Sequence, residues 1–584
     1  MGFLIRRFVV LCISASLLIL GFRQLTLRER FPPPTIASFR INKPIKWKDV
    51  PVRYPVKSMA QLPTGVPTPI PKIQHEFGTE TAHNKAKRLE RLQAVKETFI
   101  HSWDGYKNQA WAQDEIMPVS GGYKNDYGGR GATLVDTLDT LIIMGLEDEF
   151  ILALKAVHKI DFSTSADASL NVFETTIRYL GGLLGAYDLS EKKHHVLLDK
   201  AKELGDMLYG AFDTPNRLPI THWDWSNGAV NGAQEADTSA LSAEIGSLSL
   251  EFTRLSQLTG DPKYFDAVQR ITDQFDKHRN ETKIPGLFPV FVNPLDEVFG
   301  ENNVFTFGGM SDSLYEYFPK EYLLLGGLAN QYKSLYVRAI EAAKKHLFFR
   351  PLHPENQDVL VSGTVGTWGL QAEGQHLTCF AGGMVALGAM VFNRTDELDV
   401  ARKLVDGCIW AYDSMPTGIM PELYSLVLCK DAKDCVWSTE RWHQAVLKES
   451  GNGETIDATD IIKEDHLPPG YTKIGDRRFL LRPEAIESVF ILYRITGDRK
   501  LQDSAWRMFT AIRNATTTEF ANSAIADVTC PGSQVTEKLD SCESYWMAET
   551  LKYFYLIFAD PELVSLDNFV FNTEAHPLRR PQVK

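Results

Sequence analysis

Several things are scarce in this 584-residue chain, and each scarcity excludes something. There is no C-x-x-C pair and no zinc-like spacing of Cys and His, so the seven cysteines do not read as a zinc centre. Strand-like alternation is sparse and confined to loops, which argues against a β-rich fold. Residues 31–73 contain one acid, Asp49, but ten of the 29 prolines. A segment of that composition is extended and buries little. Beyond residue 79 the chain has no basic stripe. Residues 1–79 hold 12 basic and 3 acidic side chains, leaving 50 basic and 71 acidic in the rest. An acidic body argues against nucleic acid and suits a neutral substrate or a bound cation.

What is present begins with an uncharged run, Phe8 to Phe22, behind Arg6-Arg7. Fifteen residues span about 22 Å as a helix, short for a bilayer, unless Phe3, Leu4 and Ile5 extend it beside snorkelling arginines. No small-x-small cleavage site follows Phe22, so the run reads as an uncleaved signal anchor. The expected organisation is a short cytoplasmic tail (1–7), a transmembrane segment (8–22), a Pro-rich stem (23–74) and a globular body (75–584). This describes a single-pass type II membrane protein with its body in the lumen of the Golgi or endoplasmic reticulum. The sequons Asn280-Glu-Thr, Asn393-Arg-Thr and Asn514-Ala-Thr agree with a lumenal body. So do the six cysteines outside the membrane run, an even number that fits three disulfides.

The body has a helical period. Leu89, Leu92, Val95 and Phe99 form one stripe, and Phe173, Ile177, Leu180 and Leu184 another. Between them, Trp103 to Gly131 reads as a Gly- and aromatic-rich loop. Helix pairs then recur near 240–278, 313–349, 380–412, 484–513 and 543–558. Leu255-Ser-Gln-Leu-Thr-Gly-Asp-Pro-Lys-Tyr264 resembles Tyr493-Arg-Ile-Thr-Gly-Asp-Arg-Lys-Leu501. In each, Gly ends one helix and Asp caps the next. Repetition of this unit predicts an all-α fold, either a solenoid or a closed α/α barrel.

Carboxylates recur at one position of the repeat. Glu174, Glu244, Asp312, Glu422, Glu484 with Glu487, and Glu543 each stand at or near a helix start. The stretch Arg482-Pro-Glu-Ala-Ile-Glu487 packs two carboxylates and a guanidinium into one such start. Singly, each is an ordinary acidic first turn that stabilises its helix. In a ring of helices, however, the starts share one end, and the acids converge. Converging acids shift one another's protonation. Glycoside hydrolysis needs that division, with one acid to protonate the leaving oxygen and one base to activate water.

On these residues the chain resembles the class I α-1,2-mannosidases, glycoside hydrolase family 47. The match runs from about His75 to Pro577. It rests on the Trp103–Gly131 loop, Phe173-Glu-Thr-Thr-Ile-Arg178, Ser311-Asp-Ser-Leu-Tyr-Glu-Tyr317, Leu481-Arg-Pro-Glu484 and Phe571-Asn-Thr-Glu-Ala-His-Pro577. The resemblance implies an (α/α)7 barrel that removes terminal α-1,2-linked mannose from high-mannose N-glycans by inversion, with Ca2+ as cofactor. It casts Glu174 as general acid, Glu484 as general base, Asp312 as a third essential carboxylate and Glu422 as a further catalytic candidate. It makes Arg178, Glu244, His376, Arg482, Glu487 and Glu543 sugar- or water-holding residues. It makes Thr573 the calcium ligand, through hydroxyl and carbonyl. The loop-rich end after Leu566 itself reads as a tail packed inward, a plug in the barrel. Cys379–Cys408 matches the family's shared disulfide. Cys429–Cys435 and Cys530–Cys542 are paired only by proximity, since six cysteines allow fifteen pairings.

One departure bears on specificity. The endoplasmic-reticulum enzymes that remove a single mannose carry an arginine two residues before the aspartate that matches Asp312. Here that residue is Met310. Loss of a rigid fork of donors loosens selection among branches, which points to broad, Golgi-type trimming. A rival reading is a glycan-binding or slow mannosidase-like quality-control factor, using the polar insert Asp431–Lys473 for a partner. The intact acids Glu174, Asp312, Glu422 and Glu484 speak against it.

Overall fold

The structure is a computed structural model. It describes residues 45–581, apart from 164–166, 168, 226–231, 430–434, 452–456 and 531–535. The expected membrane segment, 8–22, lies outside the described residues. Among the described residues no helix is long and apolar enough to cross a membrane.

Among the described residues, fourteen principal helices build the body. In chain order they are α1 (Ala82–Gln109), α2 (Leu138–Ile143), α3 (Glu147–Val157), α4 (Gly181–Leu189), α5 (His195–Tyr209), α6 (Ser249–Thr259), α7 (Lys263–His278), α8 (Asp312–Leu324), α9 (Asn330–His346), α10 (Phe380–Val391), α11 (Glu397–Asp413), α12 (Glu484–Thr496), α13 (Arg499–Thr516) and α14 (Leu551–Phe558). Helices α2, α4, α6, α8, α10, α12 and α14 pack side by side in sequence. The ring closes where the turn Trp546–Thr550 before α14 meets α2. Each inner helix except α14 is followed by an outer one, and α1 covers α14. This is the closed α/α barrel, not the open solenoid.

Composition explains the two layers. Inner helices such as α8, α10 and α12 are buried almost all round. Outer helices such as α7 and α13 have one apolar stripe and one wet face. The two matched turns behave as read. Gly260 and Gly497 end α6 and α12 in the left-handed region at φ 74° and 69°. Asp261 and Asp498 then accept the backbone N–H groups of Lys263 and Lys500.

Two readings need correction. The stretch from Trp103 is helical to Gln109, because Trp103 and Tyr106 continue the apolar face of α1. The loop proper wraps Asp114, which accepts N–H groups from Tyr127, Gly129, Arg130, Gly131 and Ala132 and the Tyr179 hydroxyl. The Pro-rich segment is extended, but residues 45–74 do not stand free. Trp47 is 5% exposed and lies against Trp223 and Trp225. Arg53 and Tyr54 donate to Asp213, Thr68 pairs with Gly326, and Ile73 donates to Asp567.

Short strands cluster at one end of the barrel. Leu170–Asn171, Ala240–Leu241, Phe305–Thr306 and Glu373–Gln375 each lead into an inner helix, and together they form a collar around its mouth. At the axis sits the antiparallel hairpin Phe569–Phe571/Pro577–Arg579. Helix α4 makes room for it with glycine: a Cβ on Gly181 would stand 2.6 Å from the Asn572 amide. The expected plug is therefore present.

Candidate active site

Inside the collar is a cavity of ≈350 Å³. Of the predicted site residues it is lined by Glu174, Arg178, Glu244, Asp312, Arg482, Glu484, Glu487 and Thr573. A larger cleft, ≈1020 Å³, lies on the outer wall among Asp406, Trp410 and Leu501 and holds none of them. The cavity with the convergent charges is the candidate site.

Local sequence places these groups. Asn171 caps the helix start by accepting the Glu174 N–H. The chain then runs through a π-helical turn, Thr175–Leu180, which brings Arg178 under the cavity. A second π-turn, Trp546–Thr550, presents Glu549. Asp312 begins α8 after Gly308-Gly309, whose second N–H is held by Gln375. Met310, Leu481 and Ala575 have φ of 77°, 65° and 58°. Left-handed backbone at non-glycine residues costs energy, and here three such residues adjoin the site.

The electrostatics divide the acids. Burial raises the affinity of Glu484 for a proton. A 2.7 Å hydrogen bond from His376 and the Arg482 charge outweigh that and hold Glu484 below the usual carboxylate range. Asp312 has only the Ser313 N–H and a distant Arg482 against burial, Glu316 and Glu484, and is pushed up to about 7. Burial, with Glu316 and Glu484, pushes Glu487 up to about 8 against the pull of Lys320. Burial and the proximity of Asp136 and Glu174 bring Glu574 to about 8 despite Arg178. Burial beside Glu574 raises Glu549 well above the usual carboxylate range. Glu244 is raised by burial, against His222. Glu174 pairs with Arg178 at 2.8 Å.

Three predicted residues do not reach the cavity. His376 is fully buried, fixed between Glu484 and the Tyr412 hydroxyl at 2.8 Å, so it touches Glu484 and does not line the cavity. Glu422 spends one oxygen on Arg482 at 2.5 Å and the other on the Leu480 N–H, and so orients the guanidinium. Glu543 accepts from the Tyr127 hydroxyl and stands beside Lys124 and Glu115, outside the cavity lining. Conversely, Glu316, Glu549, Glu574 and Lys320 were missed. The spacing Asp312, Glu316, Lys320 marks one face of α8 and is the signal that shows two of them.

Thr573 sits on the cavity floor. The Asn572 side-chain oxygen takes the N–H groups of Glu574 and His576, which turns Thr573 toward the cavity. Its N–H meets the Tyr317 hydroxyl, and its own hydroxyl has no protein partner among the described residues. Among the described residues no group of three or more His, Cys, Asp or Glu side chains is arranged to hold a metal.

Cys379–Cys408 ties α10 to α11, and Cys429–Cys435 is also bonded. Cys530 and Cys542 are free thiols, contrary to expectation. The reason is register. Ile525 pairs with Lys538, so Cys530 is at the far end of that hairpin and Cys542 at its base, buried beside Glu543.

A closed α/α barrel with a ring of carboxylates at the inner-helix starts has the architecture of a glycosidase. Comparison with known proteins gives the family. Residues 98–580 match the model for glycosyl hydrolase family 47, and the chain belongs to that family. It is 35% identical over 554 residues to the human "Endoplasmic reticulum mannosyl-oligosaccharide 1,2-alpha-mannosidase", covering 94% of this chain and 71% of that one. It is 36% identical to "Mannosyl-oligosaccharide alpha-1,2-mannosidase 1B" of Aspergillus phoenicis, over 84% and 91%. Among solved structures it is similar to "alpha-1,2-mannosidase from Trichoderma reesei", with a TM-score of 0.73 and 32% identity over 84% and 99% of the two chains.

Proposed function

We propose that this glycosidase removes terminal α-1,2-linked mannose from high-mannose N-glycans, with inversion. The observation that carries the reading is the division of charge in one cavity, Glu484 ionised and Asp312 able to hold a proton. Glu484 is the base that takes a proton from the attacking water. Arg482 and His376 keep its carboxylate charged and aimed. Glu174, cast by the resemblance as the acid, is tied to Arg178 at 2.8 Å. That pairing supports a second reading for the donor, in which Asp312 protonates the leaving oxygen and Glu174 holds the sugar through Arg178.

Calcium fits the floor. Thr573 offers two hard oxygens, and the crowded carboxyls of Glu316, Glu487, Glu549 and Glu574, beside Arg178 and Lys320, would be drawn to their charged forms by a cation there. Thr573 would be the direct ligand, with waters held by the carboxylates completing the shell. Bound there, the cation would hold sugar hydroxyls and polarise water. Met310, at 55% exposure on the lip, supports trimming of several branches and a Golgi-type role. The anchor, stem and lumenal topology complete the proposal.

The test is a nine-mannose glycan incubated with the protein, with and without chelator, and products followed by chromatography. Calcium-dependent loss of several mannoses, abolished by Glu484→Gln, is the expected result. Loss of a single mannose overturns the breadth. Tight binding without product overturns hydrolysis.

A further inference from the structure

The collar exposes apolar surface where a closed barrel does not need it. Phe291 is 43% exposed, while its strand neighbours Val290 and Val292 are buried. Phe291 pairs across the strands with Leu241, and residues directly opposite in an antiparallel pair share a face. Leu241 lines the cavity, so the ring of Phe291 lies on the cavity's face of the collar. The Ala243 N–H bonds to the carbonyl of Met310, bringing that exposed side chain onto the same lip.

The surface continues outward. The Val290 N–H bonds to the Val304 carbonyl, and Val304 is 40% exposed. The next residue, Phe305, pairs with Val365 in the hairpin Thr364–Gly366/Gly369–Gln371. At the tip of that hairpin stands Trp368, 93% exposed. The base of the same wall supplies Gln375, which holds Gly309, and His376, which holds Glu484. An indole so exposed contributes nothing to the barrel core.

We propose that Phe291 and Trp368 form an outer subsite for the mannose units beyond the bond being cut. This rests on the mannosidase reading above. The cavity, at ≈350 Å³, has room for little beyond the reacting sugars, so the rest of a branched glycan must lie on the collar. Sugar rings present C–H faces that suit flat aromatic surfaces, and such contacts do not depend on branch identity. That matches a site without an arginine fork at the position of Met310.

Full-length wild type, Phe291→Ala and Trp368→Ala are compared on an α-1,2-linked mannose disaccharide and on a nine-mannose glycan. For each variant kcat/KM on the large glycan falls about tenfold, through KM, while the disaccharide changes less than about twofold. Phe291→Trp keeps the large-glycan rate. Equal losses on both substrates, or none on the large one, overturn the proposal. If Phe291→Ala does not fold, Trp368→Ala decides, since its side chain packs against almost nothing. If wild type cleaves neither substrate, the mannosidase reading has failed instead. Calorimetric binding of the nine-mannose glycan then judges the subsite: weaker binding by the variants supports it, and equal binding overturns it.

Discussion

His376 Nδ1 lies 2.7 Å from a carboxylate oxygen of Glu484, and its Nε2 lies 2.8 Å from the Tyr412 hydroxyl. An ionised carboxylate only accepts, so Nδ1 carries the hydrogen. Glu484 is thus held by a buried ring that does not line the cavity. Glu484→Gln lowers kcat by about 10³ or more, and His376→Ala by roughly 10², with little change in KM. A large rise in KM for His376→Ala, with kcat intact, would show the ring to be a sugar contact after all.

The split between Glu484 and Asp312 sets a pH profile. Glu484 is held below its ordinary value of 4.5, so it stays charged throughout the neutral range. Asp312 is protonated below about 7 and loses its proton above that. With Asp312 as donor, kcat falls as pH rises past about 7, and Asp312→Asn removes that limb. A cation at Thr573 favours the charged forms and moves the limb to lower pH. If Glu174→Gln, and not Asp312→Asn, removes the alkaline limb, Glu174 is the donor.

His576 gives a stability prediction. Burial lowers its proton affinity, but Asp139 and Asp136, at 2.7 and 2.9 Å, raise it to about 9. Its folded value exceeds its unfolded value of 6.5. The contribution is therefore fully present below about 6.5 and is lost as pH rises through about 9. Thermal midpoints measured from about pH 6 to 9.5 fall for wild type. They fall less for His576→Asn, which starts about 3–5 kcal/mol less stable because a buried imidazolium shared by two aspartates is lost, leaving Asp139 with Lys552 and Asp136 with Ser544.

Calcium binding to the floor raises the thermal midpoint. At a free concentration a hundredfold above Kd the gain is about 2.7 kcal/mol. Thr573→Ala removes most of that shift while leaving the midpoint in chelator nearly unchanged. A shift of the same size in Thr573→Ala would place the ion elsewhere.

The layers of the barrel were legible because inner and outer helices bury different fractions of their surface, and the Gly-Asp turns repeat. The collar was not legible: its strands are two or three residues long, too short for alternation to show. The acids at helix starts were legible by position. Glu549 was not, since it depends on a π-turn that no spacing rule anticipates. Glu422 is expected as a catalytic candidate and His376 and Glu543 as sugar- or water-holding residues, but none of the three lines the cavity, and a motif does not say which side of a carboxylate a residue stands on. The Cys530–Cys542 pairing failed because nearness in sequence says nothing about hairpin register.

The segment 45–74 alters where the working unit begins. It passes from Trp47, beside the strands that lead to Glu174, to Ile73 and Gln74 at the opposite pole, against Arg494 and Pro561. A boundary at residue 75 would leave Trp223 and Trp225 unshielded and strip partners from Asp213, Asp266 and Asp567. What composition reads as a spacer is, from residue 45 onward, a strap belted around the barrel from lip to base, and an excised body that omits it would lose its grip at both poles.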